Sequence, residues 1–373
     1  MNALAAWLKT YPRLTKDRLT PKFERAWGDW LGRRYSVFCN SGSSANLLMY
    51  YALLLSGRLK NRKVIVPSVG WVTSIAPAIQ FGFTPIMCEA DPDTFGLDLV
   101  HLEKLLKKHK PSLVMLVQVL GVPHKMKELM KLKKKYGFIL MEDACAAIGA
   151  SFQGRKVGAF GDMASFSFYF GHQMSTIEGG MVSTDDKRLY DLLLMLRSHG
   201  WSKDLDRPAH RALVKKHKID DFHSPFVFYI PGFNLRSSDL NAFIGLRQVA
   251  KLDAITAARN RNHDLYDKLL RGHFRLQNPP GAGAKPASIS FGLLARDPAQ
   301  RRRIVDALNA HGIETRIFSA GNLGLHPFWI ERYGRASFPM ADRIHHTGFF
   351  LPNNPSLKPR DVQNISKVVL SAL

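Results

Sequence analysis

Short apolar runs alternate with amphipathic stretches through about residue 190. Val64–Val66, Pro85–Cys88, Leu113–Val117, Phe138–Met141 and Ser165–Phe168 are each rich in neighbouring apolar side chains. Such runs read as strands covered on both faces. Between them, Ser44–Leu55, Val100–His109 and Lys125–Tyr136 place apolar residues at helical spacing. Strands alternating with helices imply βαβ crossovers, so the pattern predicts an α/β fold whose mostly parallel sheet is flanked by helices.

The pattern then changes. Residues 202–232 carry few regular signals and read as a long excursion. A helical stretch is expected from Ser238 to about Arg271, and the Pro- and Gly-rich segment Gln277–Lys285 reads as a loop. A strand over Ser288–Leu294 and a helix over Pro298–His311 open a smaller α+β unit. The expected division is a large domain over residues 1–250 and a small C-terminal domain over 251–373. No internal repeat is evident.

A chain of 373 residues that is 46% hydrophobic has ample material for a core of this size. No run of about 18 apolar residues occurs, so no transmembrane helix is expected. The N-terminal residues lack the order of a signal peptide, and a cytoplasmic protein is the simplest reading. The three cysteines, Cys39, Cys88 and Cys145, are widely spaced and form no disulfide framework or metal-ligand pattern. The balance of 53 basic to 30 acidic residues gives +23. Its densest clusters, Lys107–Lys110 and Lys131–Lys135, lie in amphipathic helical patterns, where lysines form a solvated face. Without a nucleic-acid-binding signature, attraction of anionic small molecules into a cleft is the better reading.

Several segments carry chemistry. Asn40–Asn46 (Asn-Ser-Gly-Ser-Ser-Ala-Asn) opens an apolar helix, and small residues at a helix N-terminus suit an anion. Alone, it equally suits a serine-capped helix start. Trp71 follows a strand where α/β sheets bind ligands, although a lone tryptophan more often packs in a core. Asp143 ends an apolar strand; it either meets a cationic partner or caps the next turn. Asn234 and Arg236 in the Pro231–Asp239 segment are plausible anion contacts.

Taken in order with Ser167, the Glu178-Gly179-Gly180 turn and Gly312–Arg316, these segments resemble the DegT/DnrJ/EryC1/StrS sugar aminotransferase family over roughly residues 20–350. The resemblance implies an aspartate aminotransferase-like (type I) pyridoxal phosphate fold and a homodimer with shared active sites. Gly42, Ser43 and Ser167 would hold the cofactor phosphate, joined by Asn234 from a second subunit. Trp71 would stack on the cofactor ring and Asp143 would pair with its nitrogen. Ala146 departs from the family, whose members often carry Gln, Glu or Asp beside the ring.

One position departs further. In this family a serine lies five residues before the lysine that forms an imine with pyridoxal phosphate, and here Ser167 is followed by His172. An imidazole has no primary amine, and no lysine occurs between Lys156 and Lys187. The cofactor is therefore expected to be held noncovalently. Histidine at this position, with Arg197–Trp201 (Arg-Ser-His-Gly-Trp) and Ser319–Leu323 (Ser-Ala-Gly-Asn-Leu), resembles the family's sugar 3-dehydratase branch. That resemblance implies pyridoxamine phosphate as the working cofactor. The substrate would be a nucleotide-linked 4-keto-6-deoxy sugar, foremost GDP-4-keto-6-deoxy-D-mannose, losing its C3 hydroxyl. L-Glutamate would regenerate the cofactor and ammonia would be released. His172 would act as acid and base, its pKa near neutrality suiting that work. Arg236, Arg316 and His199 are candidates for contacting substrates. CDP-sugar relatives with this histidine use an iron–sulfur cluster, which three cysteines cannot ligate within one chain. Two other readings stay open: an aminotransferase using free pyridoxamine phosphate, and a catalytically silent binding subunit.

Overall fold

The structure, a computed structural model, describes residues 2–373. Seven strands form the main sheet: β1 (Tyr35–Cys39), β2 (Lys63–Pro67), β3 (Thr84–Cys88), β4 (Leu113–Val117), β5 (Ile139–Asp143), β6 (Met163–Ser167) and β7 (Gly180–Thr184). Their spatial order is β1-β7-β6-β5-β4-β2-β3. Strands β2 to β6 pair in parallel, whereas β7 runs antiparallel to both β1 and β6. The apolar runs fall on these strands because both faces are covered: every residue of β4, β6 and β7 is buried. Helices Gly42–Ser56 and Lys187–Arg197 pack on one side. Leu99–His109 and Met126–Tyr136 pack on the other.

A second, four-stranded antiparallel sheet is built from residues 275–352, with Ser290–Leu294 paired to Gly348–Pro352 at its centre. Helices Leu252–Leu270, Pro298–Ala310 and Pro359–Ser371 close over it around Phe291, Phe349 and Val369. No helix among the described residues is long and apolar enough to cross a membrane.

Two expectations need correction. The 202–232 excursion contains an eleven-residue helix, Arg207–His217. Asp206 caps it by accepting from the Ala209 amide, and Pro208 sits in its first turn. None of its residues is fully buried; of its apolar side chains only Ala209, Leu213 and Val214 are half-buried, so its apolar stripe is short and a weak signal from sequence. The expected single helix from Ser238 to Arg271 is two, Asp239–Val249 and Leu252–Leu270, broken at Ala250 and Lys251.

Candidate active site

The carboxyl ends of β5 and β6 and the start of the Gly42–Ser56 helix converge on one point. Ser41 caps that helix, its Oγ accepting from the Ser44 amide, and leaves Gly42 and Ser43 at the first turn. Gly42 is buried and Ser43 is exposed. Only glycine fits at 42, because a Cβ there would lie 2.5 Å from Ser167 Cβ and 3.0 Å from Cys145 Sγ. The Gly179-Gly180 turn is required for the same reason. A Cβ on Gly180 would lie 2.1 Å from the Ser41 carbonyl oxygen. The helix amides, Ser43 and the Ser167 hydroxyl thus form a small cradle at the positive end of a helix dipole, suited to a phosphate.

Asp143 ends β5 and is 5% exposed. Its Oδ2 accepts from Asn46 Nδ2 at 2.8 Å and from Ser74 Oγ at 2.6 Å. Its Oδ1 takes only the Cys145 amide at 3.1 Å, so the carboxylate keeps acceptor capacity on that oxygen. Asn46 is itself fixed by the Ser165 hydroxyl, which donates to its Oδ1 at 2.6 Å. A buried carboxylate held by neutral donors and free on one side suits a protonated ring nitrogen.

Trp71 follows β2 and caps a single 3-10 turn, Val72–Ser74. It is 61% exposed, which removes the core-packing alternative. The small unit braces this loop: Leu323 N donates to Ser68 O at 2.8 Å, and Val69 bridges Asn322. Asn322 is fully buried, donating to Ala336 O at 3.0 Å and to Asp342 Oδ1 at 2.6 Å. The Ser319–Leu323 motif therefore docks the small unit against the Trp71 loop. It does so through three successive residues with positive φ, Ser319, Ala320 and Gly321.

His172 lies in the loop between β6 and β7, half-buried, its amide donating to Tyr169 O at 3.0 Å. Its Nδ1 is shielded from solvent and has no hydrogen-bond partner. Burial pushes its pKa down to about 4; the Asp143 charge opposes that shift and the Arg259 charge reinforces it. The near-neutral value expected of a free imidazole is not realised, because desolvation outweighs the attraction of Asp143.

The other anticipated residues divide. Asn234 is exposed, and its Oδ1 accepts from Arg236 Nε at 3.0 Å. Arg236 Nη2 lies 3.2 Å from His199 Nε2. Asn234 and Arg236 line a cavity of about 320 Å³ with Asn40 and Glu178. Arg316 is not brought together with them; it is exposed and paired with Glu314 at 2.5 Å. Among the described residues, no group of three or more His, Cys, Asp or Glu is placed to hold a metal ion.

Three further residues emerge only from the structure. Asn46 and Ser74 orient Asp143, and Gln173 clamps the His172 loop. Gln173 Nε2 donates to Ala146 O and Ala287 O, both at 2.6 Å. An asparagine inside an otherwise apolar helix was the available signal for Asn46, since a buried amide requires partners.

Residues 2–370 match the DegT/DnrJ/EryC1/StrS aminotransferase family. The chain is 32% identical over 313 residues to a GDP-4-keto-6-deoxy-D-mannose 3-dehydratase of Yersinia pseudotuberculosis, covering 83% of this chain and 79% of that protein. Two crystal structures of a GDP-4-keto-6-deoxymannose-3-dehydratase superpose with a TM-score of 0.89 at 27% identity, covering 99% of this chain and 96% of theirs. One is a histidine-to-asparagine variant with GDP-perosamine bound, and the other holds a trapped adduct of pyridoxal phosphate and glutamate.

Proposed function

The chain belongs to the DegT/DnrJ/EryC1/StrS aminotransferase family, and on that premise we propose that it is a pyridoxal phosphate-dependent 3-dehydratase of a nucleotide-linked 4-keto-6-deoxy sugar. The substrate read for it is GDP-4-keto-6-deoxy-D-mannose, with L-glutamate as co-substrate. The observation that carries this reading is His172. It occupies the anchoring position of a site whose Gly42–Ser167 cradle, Asp143 carboxylate and exposed Trp71 otherwise fit the cofactor.

Pyridoxamine phosphate, when bound, supplies the amine that condenses with the sugar ketone and the ring that takes up electrons as the C3 bond breaks. The chain's own residues do the rest. Gly42, Ser43 and Ser167 would hold the phosphate end through amides and hydroxyls. Trp71 would stack on the ring, and Asp143, held by Asn46 and Ser74, would pair with the ring nitrogen.

His172 holds and moves the proton. Burial disfavours its charged form, so the imidazole is neutral and would be available to accept a proton. His172 would thus be the group that takes up a proton at the site and returns it to a departing hydroxyl. His172 offers no amine for an imine, so these residues would hold the cofactor by noncovalent contacts alone.

Exposed Phe170 and Ile177, 81% and 57% accessible beside the site, support burial against a second copy of the chain, and Asn234 is read as reaching that copy's phosphate. Reliance on a nucleotide-sugar and glutamate supports a cytoplasmic setting.

Incubating the protein with GDP-4-keto-6-deoxymannose, pyridoxal phosphate and glutamate tests the proposal. A 3-deoxy sugar with ammonia is expected. A 4-amino sugar without ammonia identifies a transaminase, and no turnover of any nucleotide-sugar identifies a silent subunit.

A further inference from the structure

We infer that the chain docks on an anionic phospholipid surface through a lysine-rich face at the end of the main sheet opposite the candidate active site. Residues 58–63, 99–110 and 126–137 carry 13 Lys and Arg against Glu103 and Glu128, a net +11 (13 − 2) of the chain's +23. Twelve of the 13 are exposed and Lys133 is half-buried. The fold ties the three segments into one surface. Asn61 Nδ2 donates to Lys110 O at 3.0 Å, and Lys63 Nζ to His109 O at 3.4 Å. Lys135 Nζ meets Glu103 Oε1 at 2.7 Å, which joins helix Met126–Tyr136 to helix Leu99–His109.

The positive charge of this face is poorly compensated. Glu103 serves both Lys107 and Lys135, Asp186 pairs with Arg58 at 2.5 Å, and Asp162 pairs with Lys133 at 3.1 Å. The other nine cations have no carboxylate partner among the described residues. Steering of substrate into the cleft does not account for them. Strand β5 begins at this face with Ile139 and ends at the site with Asp143, a span of about 13 Å. Docking here would leave the carboxyl ends of the strands, and the site, open to water.

The chemistry of the face selects the occupant. Eleven of its 13 cations are Lys and two are Arg. Lysine is a hydrated point charge on a flexible stem, suited to a diffuse negative potential rather than to the fixed geometry that arginine reads. An anionic leaflet is such a potential, and it attracts clusters of lysine. Nucleic acid fits less well, because none of the three segments exposes a Phe, Tyr or Trp ring to stack on a base. A second copy would bring like charge against like. Within the face, a cavity of about 420 Å³ lined by Arg58, Lys60, Lys110 and Lys135, with Leu106 and Ile139, has room for a lipid phosphate.

Co-sedimentation of the full chain with vesicles at about 0.15 M salt tests the docking. Wild type is expected to pellet with vesicles of mixed phosphatidylglycerol and phosphatidylcholine, to stay in solution with phosphatidylcholine alone, and to be released at about 1 M salt. Each lysine near the leaflet is worth about five-fold in partitioning. A variant carrying Lys104→Gln, Lys108→Gln, Lys131→Gln and Lys134→Gln should therefore bind at least about ten-fold more weakly at an unchanged melting temperature. A control removes the same charge from the smaller unit, through Arg302→Gln, Arg332→Gln, Arg335→Gln and Arg360→Gln, and should stay within about two-fold of wild type. An equal fall in both variants overturns the assignment to this face, since net charge alone would then explain the binding. Wild type that leaves the phosphatidylglycerol vesicles unbound overturns it without any variant, and binding of duplex DNA by that same protein would assign the face to nucleic acid.

Discussion

Gly42 packs so tightly against Ser167 that a single added methyl group would lie 2.5 Å from the serine Cβ. Two segments 125 residues apart in sequence (167 − 42) thereby meet to make one cradle. Gly42→Ala is expected to push Ser167 and the helix start apart. Pyridoxal phosphate affinity should fall at least about ten-fold while the far-ultraviolet spectrum is retained, because the overpacking is local. Titration of the cofactor absorbance against protein measures it.

Asn46 tests whether Asp143 needs its supports. In Asn46→Leu the carboxylate loses one of its two Oδ2 donors, and the Ser165 hydroxyl loses its acceptor. A destabilisation of about 1–3 kcal/mol is expected from the unpaired groups. A fall in turnover beyond what the folded fraction explains would mark the network as positioning the carboxylate. Denaturant melts and turnover on the same preparation separate the two effects.

Arg197 is buried with two carboxylates and also donates to the Phe38 carbonyl. Arg197→Leu leaves buried Glu24 without its cation and Asp204 with Lys16 alone, and should cost about 3–5 kcal/mol. Replacing Lys16, whose pair with Asp204 is only part-buried, should cost about 1 kcal/mol or less. Urea unfolding of both variants gives the comparison.

Acid should destabilise the fold through buried neutral histidines. Burial pushes His263 and His124 down to about 4 from the ordinary 6.5. The unfolded chain binds these protons first, so stability is intact above about pH 6.5 and falls as the pH drops toward 4. Each group contributes up to ~3 kcal/mol to that loss. In His263→Gln the decline of the melting temperature between pH 6.5 and pH 4.5 should be visibly shallower than in wild type.

The sequence carried the sheet well because its parallel strands are continuous apolar runs; β4 is Leu113–Val117 as expected. Helix Arg207–His217 escaped because it only half-buries a short apolar face, so its Asp206 cap is the clearer mark. At the candidate site, motif order singled out Gly42, Asp143, Ser167 and Trp71. Asn46, Ser74 and Gln173 were not, since their roles depend on which backbone atoms the fold brings within reach. The His172 pKa was illegible for a similar reason: desolvation depends on packing around the ring, and no sequence pattern reports it.

The exchange of lysine for histidine is tested most directly by reversing it. In His172→Lys, the restored amine is expected to bond covalently to the pyridoxal aldehyde, giving a visible absorbance band that borohydride fixes to the protein, with no 3-deoxy sugar or ammonia formed. Dehydration that persists in this variant at a rate near wild type would contradict the account, because the proton would then be moved by a group other than His172.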